Sequence, residues 1–593
     1  MNRCIRTLYI DTSSLPLAEP YIKLYPIVKK RVEDRCGTHC VNTVQAGAFV
    51  LRFKTDASLP AEGFCLREEE DGIAILGADF LALMYGVGCF LHRSRFLAEG
   101  LCPTDWRGQS APACSKRMIF LAQHFHNWYQ QCGVQEIREY IEDLVLWGIN
   151  GVVSVFSCLN FTGWDDPKLP SMISLFQNTL SIARELGLKV GFEYSNVDFM
   201  VPRTDVAADK SRVPSKTGNL ICTSTEAGFA HYQQLLSRIL DYSDAFGGPD
   251  FITLWSYDEG GCSCERCFPW GGNGFYHMSH RISRYLKERY PRIEIWLATW
   301  YVGKKDYQID EWPMLYRHLQ EDTESGDHWV DYLLLETRGE YPQMYYPIEH
   351  GSPTAHIKLL TFPEISMTGI DPWGAFGAIA TPQLIWRQEA PFAPYCDGGY
   401  LYSEGIFDDI NKALMLSHYW DRTRPAEDIL AEYCRYEFRG IREDEFIRLV
   451  TLIERSQLKT NRFTRQPCDL NDCDAAWELA QAIDRAADEH TKACWRWRLV
   501  YIRAYLDKMR YHRCAEEGWP LADLAIGCML FWRRFLEHDA PAQQLLSELI
   551  KIYKSYGQDD AERYAYHWFV RPPRTQGADL AFEARTKAIL NMK

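Results

Sequence analysis

The chain has 593 residues, 47% of them hydrophobic and 24% charged, with a formal net charge of −14. That length exceeds what one hydrophobic core organises, so several domains are expected. The acidic balance and the lack of a Lys/Arg block argue against nucleic acid as a partner, because such binders carry a basic face.

The N-terminal residues show no apolar stretch followed by a small-residue cleavage site, so no secretory signal is expected. The most membrane-like run, Ile75 to Leu91, is short for a span and is interrupted by Asp79 and three glycines. The 20 cysteines are scattered rather than regularly spaced, which favours free thiols. Together these features lead us to expect a cytoplasmic protein with no membrane partner. Aromatic content reaches 14%, with 19 Trp and 33 Tyr. Aromatic faces fill cores, and they also stack on sugar rings.

Residues 1–110 read as a small α/β domain. A strand in RTLYIDTS is followed by helical periodicity from Tyr21 to Arg35 and a strand at Phe49–Phe53. A hairpin around Glu70–Asp71–Gly72 and a helix at Asp79–Leu91 complete it. The run AEGFCLREEEDGIAILGADFLALMYGVGCFLHR resembles the non-catalytic N-terminal domain that precedes the barrel in family 20 hexosaminidases and in α-glucuronidases. The resemblance covers a scaffold domain and implies no chemistry of its own.

Residues 111–422 alternate short β-rich runs with helical stretches, the pattern of βα units and a parallel sheet. Eight strands are expected: Arg117–Ala122, Gly151–Ser157, Leu188–Tyr194, Phe251–Ser256, Ile293–Thr299, Asp331–Leu335, Ile357–Phe362 and Gly399–Tyr402. Helices are expected between most of them, at Val134–Leu146, Leu175–Leu186, Ala227–Tyr242 and Tyr276–Tyr290. Eight strands in this order fit a (β/α)₈ TIM barrel. An open dinucleotide-binding sheet would carry a Gly-rich turn after its first strand, and none is present. Residues 423–593 read as helical, with segments at Ala426–Phe438, Glu443–Arg455, Ala475–Leu506, Leu521–Leu536 and Pro541–Tyr556. A structural role, with homo-oligomer contacts, is expected of them.

In this barrel fold the chemistry sits at the C-terminal ends of the strands. Strand four ends in Leu254-Trp255-Ser256-Tyr257-Asp258-Glu259-Gly260-Gly261, two adjacent carboxylates flanked by aromatic residues. A solvated acidic turn would look the same, but the strand-end position points to catalysis. A glycosidase needs one protonated carboxyl to protonate the leaving oxygen, a role that falls to Glu259. The pair resembles that of family 20 hexosaminidases. The resemblance implies retaining, exo-acting β-N-acetylhexosaminidase chemistry, with Asp258 orienting the substrate's own 2-acetamido group and Glu259 as acid. The sequence departs from that pattern. Family 20 leads into the pair with a His and two glycines, whereas Ser256-Tyr257 precede it here and the glycines follow.

Strand seven places Glu364 at its end. Many retaining β-glycosidases with this barrel carry the acid/base after strand four and the nucleophile after strand seven. By that likeness Glu364 is the alternative, a covalent nucleophile of a β-galactosidase-like enzyme. A third expectation is a carbohydrate-binding protein without catalysis. Other strand ends offer contacts to an oligosaccharide: His124, His126 and Trp128 after strand one, Trp300 and Tyr301 after strand five, Glu336 and Arg338 after strand six. Trp373 follows strand seven, and strand eight runs into Tyr402 and Glu404. Any single one of these has a structural explanation; the convergence on one face is the argument.

Three thiols crowd the next six residues, Cys262, Cys264 and Cys267, in a Gly-rich loop. Zinc takes four tetrahedral ligands, and thiolates suit a structural site. Cys222, ahead of strand four, is the candidate fourth. Three unrelated thiols or a partial disulfide would also fit. The Cys-x-Cys-x-x-Cys loop resembles the metal-binding loop of family 42 β-galactosidases, which implies a structural zinc. Four thiolates leave no open position, so no cofactor is expected in catalysis.

Overall fold

The computed structural model describes residues 4–123, 128–156, 163–167, 169–197, 203–212, 220–257, 260–303, 310–337, 342–366, 378–457 and 470–517. The N-terminal region is a mixed sheet built from β1 (Thr7–Asp11), β2 (His39–Val41), β3 (Phe49–Thr55), β4 (Phe64–Glu69), β5 (Gly72–Gly77) and, further on, β8 (Gly108–Ser110). Its order is β2-β1-β3-β5-β4-β8. The expected hairpin is present, with β4 antiparallel to β5. Helices α1 (Leu24–Glu33) and α2 (Phe80–Arg93) pack on it, and a short ribbon of β6 (Arg95–Leu97) and β7 (Gly100–Cys102) follows. The four strands β2, β6, β7 and β8 had no signal in the sequence, because three residues are too few to show alternation.

Eight parallel strands then close a barrel in the order β9 to β16 and back to β9. They are β9 (Lys116–Leu121), β10 (Gly151–Ser154), β11 (Lys189–Tyr194), β12 (Phe251–Trp255), β13 (Glu294–Ala298), β14 (Tyr332–Glu336), β15 (Lys358–Phe362) and β16 (Cys396–Ser403). Each lies on one of the eight expected runs. Between them run α3 (Trp128–Gln131), α4 (Val134–Leu146), α5 (Leu169–Glu185), α6 (Glu226–Ser243), α7 (Phe275–Arg289), α8 (Trp312–Glu324), α9 (Tyr346–His350) and α10 (Pro382–Glu389). The interior is filled rather than hollow, as a barrel of this size requires. Phe251 stacks on Trp296 at 4.0 Å, and Tyr400 stacks on Phe120 at 5.7 Å.

Helices α11 (Asp409–Trp420), α12 (Ala426–Glu437), α13 (Glu443–Gln457), α14 (Leu470–Ala486), α15 (Glu489–Ala493) and α16 (Trp495–Glu517) complete the described chain. The single helix expected over Ala475–Leu506 is therefore three. Asp488 causes the first break: its side chain caps α15 by accepting from the Thr491 amide at 2.8 Å and pairs with Arg439. The helices expected at Leu521–Leu536 and Pro541–Tyr556 lie outside the described residues.

A buried ion network joins the regions. Arg31 of α1 binds Asp143 of α4 at 2.7 Å and Glu142 at 3.1 Å. Arg496 of α16 binds the other Asp143 oxygen at 3.0 Å, Asp409 at 2.7 Å and Glu437 at 3.5 Å. Arg35 reaches Glu437 at 3.0 Å. Burial alone would raise the Asp143 carboxyl, but the guanidiniums of Arg31, Arg496 and Arg35 hold it down at about 2. Ions this deep stay only when each is paired. Replacing Arg496 with Met should therefore destabilise the fold by about 3–5 kcal/mol, since three buried carboxylates lose their shared cation. Thermal unfolding of the variant checks this, and an unchanged midpoint would refute it.

Candidate active site

Side chains on a strand alternate between its two faces. The barrel interior is lined by Phe120 of β9, Trp255 of β12, Trp296 and Ala298 of β13, Leu334 of β14, Phe362 of β15, and Tyr400 and Tyr402 of β16. One alternation step beyond three of these stand Glu336, Glu364 and Glu404, all buried at the C-terminal ends of neighbouring strands. Their backbones are locked together, since Glu364 bridges Tyr402 in parallel register and Glu336 pairs with Phe362. Three adjacent strands thus deliver three carboxyls to one end of one axis.

Aromatic rings form the floor beneath them. Trp255, Trp300 and Phe362 meet in a triangle with centroids 5.8, 5.2 and 5.5 Å apart. Tyr402 stands against Phe120 and Phe362. Among the described residues the buried Trp255 indole N–H meets no acceptor. A buried orphan donor costs on the order of 1–3 kcal/mol, so it marks a place where a hydrogen-bonding ligand gains affinity. Tyr301, next to Trp300, holds a left-handed φ of 60°. Backbone strain of this kind in a non-glycine residue gathers at functional sites.

Glu404 is electrostatically unusual. Burial pushes its carboxyl up to about 8, aided by the charges of Asp408 and Glu364 and opposed by a hydrogen bond from the Tyr402 hydroxyl at 2.9 Å. At neutral pH it is an acid holding its proton, able to donate a hydrogen bond. Behind it, Lys412 of α11 is wholly buried and donates to the Gly405 carbonyl at 2.5 Å, Asp408 at 2.7 Å and the Tyr140 hydroxyl at 2.7 Å. Ser403, facing outward, bonds Tyr129 and Asp408. The Ser403–Gly405 turn is therefore gripped from the helix layer.

Asp258 and Glu259 lie outside the described residues, but the chain on both sides of them is fixed. Ser256 donates to the Trp300 carbonyl at 2.7 Å, and its own carbonyl accepts from the Trp270 indole at 2.7 Å. The Tyr257 hydroxyl donates to Glu311 at 2.5 Å. Glu311, buried before α8, also accepts the amides of Gly271 at 2.6 Å and Gly303 at 2.9 Å. Burial raises its carboxyl despite these donors. After the pair, Gly261 lies flat on Trp270, where an added Cβ would sit 2.3 Å from the ring.

The next residues carry the thiols. Cys222, Cys262, Cys264 and Cys267 place their sulfurs within 4.8 Å of one another. Cys222 and Cys264 are 3.8 Å apart, with the Ser224 hydroxyl 3.1 Å from Cys222. A tetrahedral zinc with bonds of about 2.3 Å sets sulfurs about 3.8 Å apart, so the donor set fits the ion. Cys222 comes from the β11–α6 connection and the other three from the β12–α7 connection, so the cluster ties two loops together. Hydrogen bonds from Cys262 and Cys267 hold the Cys222 thiol well below its usual range.

Of the residues singled out in the sequence, Glu364, Glu336, Trp300, Tyr402 and Glu404 meet around one mouth, with Tyr301 beside them. Trp128 is buried against Tyr129 and Tyr140, and a Cβ added at Gly405, next to Glu404, would stand 3.3 Å from its Cβ. His124, His126, Arg338 and Trp373 lie outside the described residues. Three residues had escaped notice. Glu193 of β11 sends its charge to Tyr400 inside the barrel, and the alternation Gly191–Glu193 could have found it. Glu311 reads in sequence as an ordinary acid at a helix start. Lys412 reads as one charge in an apolar helix.

No family model matches the chain, and no curated protein matches it in sequence. Solved structures do match. A GH138 enzyme targeting pectin rhamnogalacturonan II aligns over 99% of this chain and 100% of its own, with a TM-score of 0.58 at 8% identity. The family 89 glycoside hydrolase of Clostridium perfringens, in complex with its substrate GlcNAc-α-1,4-galactose, aligns over 90% of this chain with a TM-score of 0.59 at 13% identity. This chain covers 65% of that one. A Streptomyces plicatus β-hexosaminidase aligns over 74% of this chain and 91% of its own, with a TM-score of 0.48 at 12% identity. The barrel with its N-terminal α/β region is thus a fold that glycoside hydrolases use.

The proton on Glu404 has a measurable consequence. The folded protein keeps it up to about pH 8, whereas an unfolded Glu releases it near 4.5. Its contribution to stability is complete below the lower value and is lost as pH rises through the higher one, at up to about 1.4 kcal/mol per pH unit. Glu404→Gln, always neutral, should flatten the fall in thermal midpoint between those limits. Parallel curves for variant and wild type would show that Glu404 is ionised in the fold.

Proposed function

We propose that the protein is a retaining, exo-acting glycoside hydrolase. The observation that carries this is the set of buried carboxyls at one end of the barrel axis above a tryptophan floor. Hydrolysis of a glycosidic bond needs an acid for the leaving oxygen, negative charge near the anomeric carbon and a flat apolar surface for the ring. Trp255 and Trp300 supply the surface, and the Trp255 N–H a donor for a sugar hydroxyl.

Glu259 gives its proton to the glycosidic oxygen as the C–O bond breaks. The anomeric carbon is captured on its other face, and Glu259, now a base, takes a proton from the water that completes hydrolysis. Two captors are supported by different observations. The buried Glu364 carboxyl at the mouth favours direct attack and a covalent glycosyl intermediate. The GlcNAc-bearing substrate of the Clostridium neighbour favours an N-acetylhexosaminide, whose own acetamido oxygen attacks while Asp258 orients it. The other mouth residues, Glu336, Tyr301, Tyr402 and Glu404, hold the sugar's hydroxyls.

Glu259→Gln should cut turnover of natural glycosides by on the order of 10²–10⁴ while leaving binding intact. Aryl glycosides with very good leaving groups should lose less, because they need no proton. Asp258→Asn and Glu364→Gln then separate the captors. Substrate assistance makes the first lesion severe and is blocked by a thiazoline inhibitor. Direct attack makes the second severe, with azide restoring some activity to Glu364→Gly. Sugar binding with no turnover of any aryl glycoside would leave a carbohydrate-binding protein instead.

We assign the four thiols a structural zinc, on the strength of their mutual spacing. It would pin the loop that begins at Gly260, immediately after Glu259. Elemental analysis of the purified chain should give about one zinc per molecule. Cys264→Ser should lower metal content and thermal midpoint together, since a hard hydroxyl replaces a soft thiolate. Metal-free protein with full activity and four titratable thiols at these positions would dismiss the site.

A further inference from the structure

The remaining thiols hold a second pairing, in the N-terminal region. The segment before β1 runs antiparallel to β7. Ile5 donates its amide to the Leu101 carbonyl at 2.8 Å and accepts the Leu101 amide at 3.2 Å. A pair that exchanges both bonds is the wide position of an antiparallel ladder, so the next pair along is the narrow one. That next pair is Cys4 with Cys102.

At a narrow position the Cα atoms stand about 4.5 Å apart with side chains on one face, inside the about 4.4–6.8 Å span that a disulfide bridges. One further observation sets the Cys4 sulfur on that face. A Cβ added to Gly100 would sit 3.2 Å from the Cys4 sulfur, which places that sulfur directly over the β7 strand. Both thiols are half-buried, so a small oxidant reaches them. The competing thiol, Cys36, is buried and turns its hydrogen to the Val32 carbonyl at 3.4 Å.

We propose that Cys4 and Cys102 form a reversible cross-strand disulfide whose oxidant is a small-molecule disulfide of the glutathione class. One protein thiolate attacks a sulfur of the oxidant, breaking its S–S bond and releasing one small thiol. The second protein thiol gives up its proton and attacks the mixed disulfide, and the second small thiol leaves with that proton. Two protein S–H groups become one S–S bond, and the oxidant is reduced to two thiols. The bridge closes the chain from residue 4 to residue 102, a loop containing every strand from β1 to β7. Its effect is to tie the N-terminal sheet shut against fraying.

The full chain, incubated with glutathione disulfide and then alkylated, is digested without reduction and mapped by mass spectrometry. The expected product is one cross-linked peptide joining Cys4 and Cys102, two hydrogens lighter than the separate peptides, with an upward shift in thermal midpoint that dithiothreitol reverses. Cys4→Ser and Cys102→Ser should each yield a stable glutathione adduct on the remaining partner instead. A link from either thiol to Cys36 would overturn the pairing. So would retention of both thiols while a urea-unfolded control oxidises. The wild-type map alone decides the matter if a variant fails to fold.

Discussion

Closure of eight parallel strands is the constraint on which the rest depends. Once the sheet closes, every second side chain on every strand is committed to the axis, and none can turn to solvent. Along most of each strand the axis must be filled by packing side chains, which is why Phe251, Trp296, Phe120 and Tyr400 stack there. At the C-terminal end the packing stops. Whatever residue follows next in alternation is delivered to the mouth, and on β14, β15 and β16 that residue is a glutamate. Burying three like-charged groups side by side costs heavily unless one of them stays protonated. Burial and the charges of Asp408 and Glu364 raise the Glu404 carboxyl, the direction that relieves this cost.

The mouth is held by a layer of buried charge that would be wasteful if stability were all that mattered. Lys412 and Asp408 sit wholly inside the helix layer, and between them they fix the turn that carries Glu404. Glu311 performs the same service across the barrel, gathering Tyr257, Gly271 and Gly303 about one carboxylate. Well-packed apolar residues would often serve stability as well or better. Ionic groups specify one geometry instead, because each alternative arrangement leaves a charge unpaired.

Much of this was legible in the sequence, for reasons that can be named. Strands buried on both faces read as continuous apolar runs, so the eight barrel strands could be placed closely from FITLW, YLLLE and their equivalents. Glu364 and Glu404 were visible as acids at the ends of such runs, and the thiols as a cluster without a packing motive. What could not be seen depended on partners remote in sequence. Glu311 has its meaning only because Tyr257 is folded against it, and Lys412 only because Asp408 and Gly405 curl back over the helix. The break at Asp488 is of the same type: its neighbours favour helix, and the competing bond to Arg439 is invisible to any local pattern.

The mouth is therefore positioned by two kinds of constraint. The glutamates of β14, β15 and β16 are placed by strand register, which cannot shift by less than a whole residue and would then flip every side chain on the strand. The strand-four segment has no such protection once it leaves the sheet at Trp255. Its position rests on discrete fastenings: the Trp270 indole on the Ser256 carbonyl, Glu311 on the Tyr257 hydroxyl, and the four-thiol knot directly downstream. A group that must move a proton at a chosen atom tolerates little displacement, since about 1 Å can cost on the order of 10²-fold in rate. The β16 side is fastened as well where the chain leaves the sheet, by Lys412 and Asp408 behind the Glu404 turn, so each side of the mouth is held at the point where register ends.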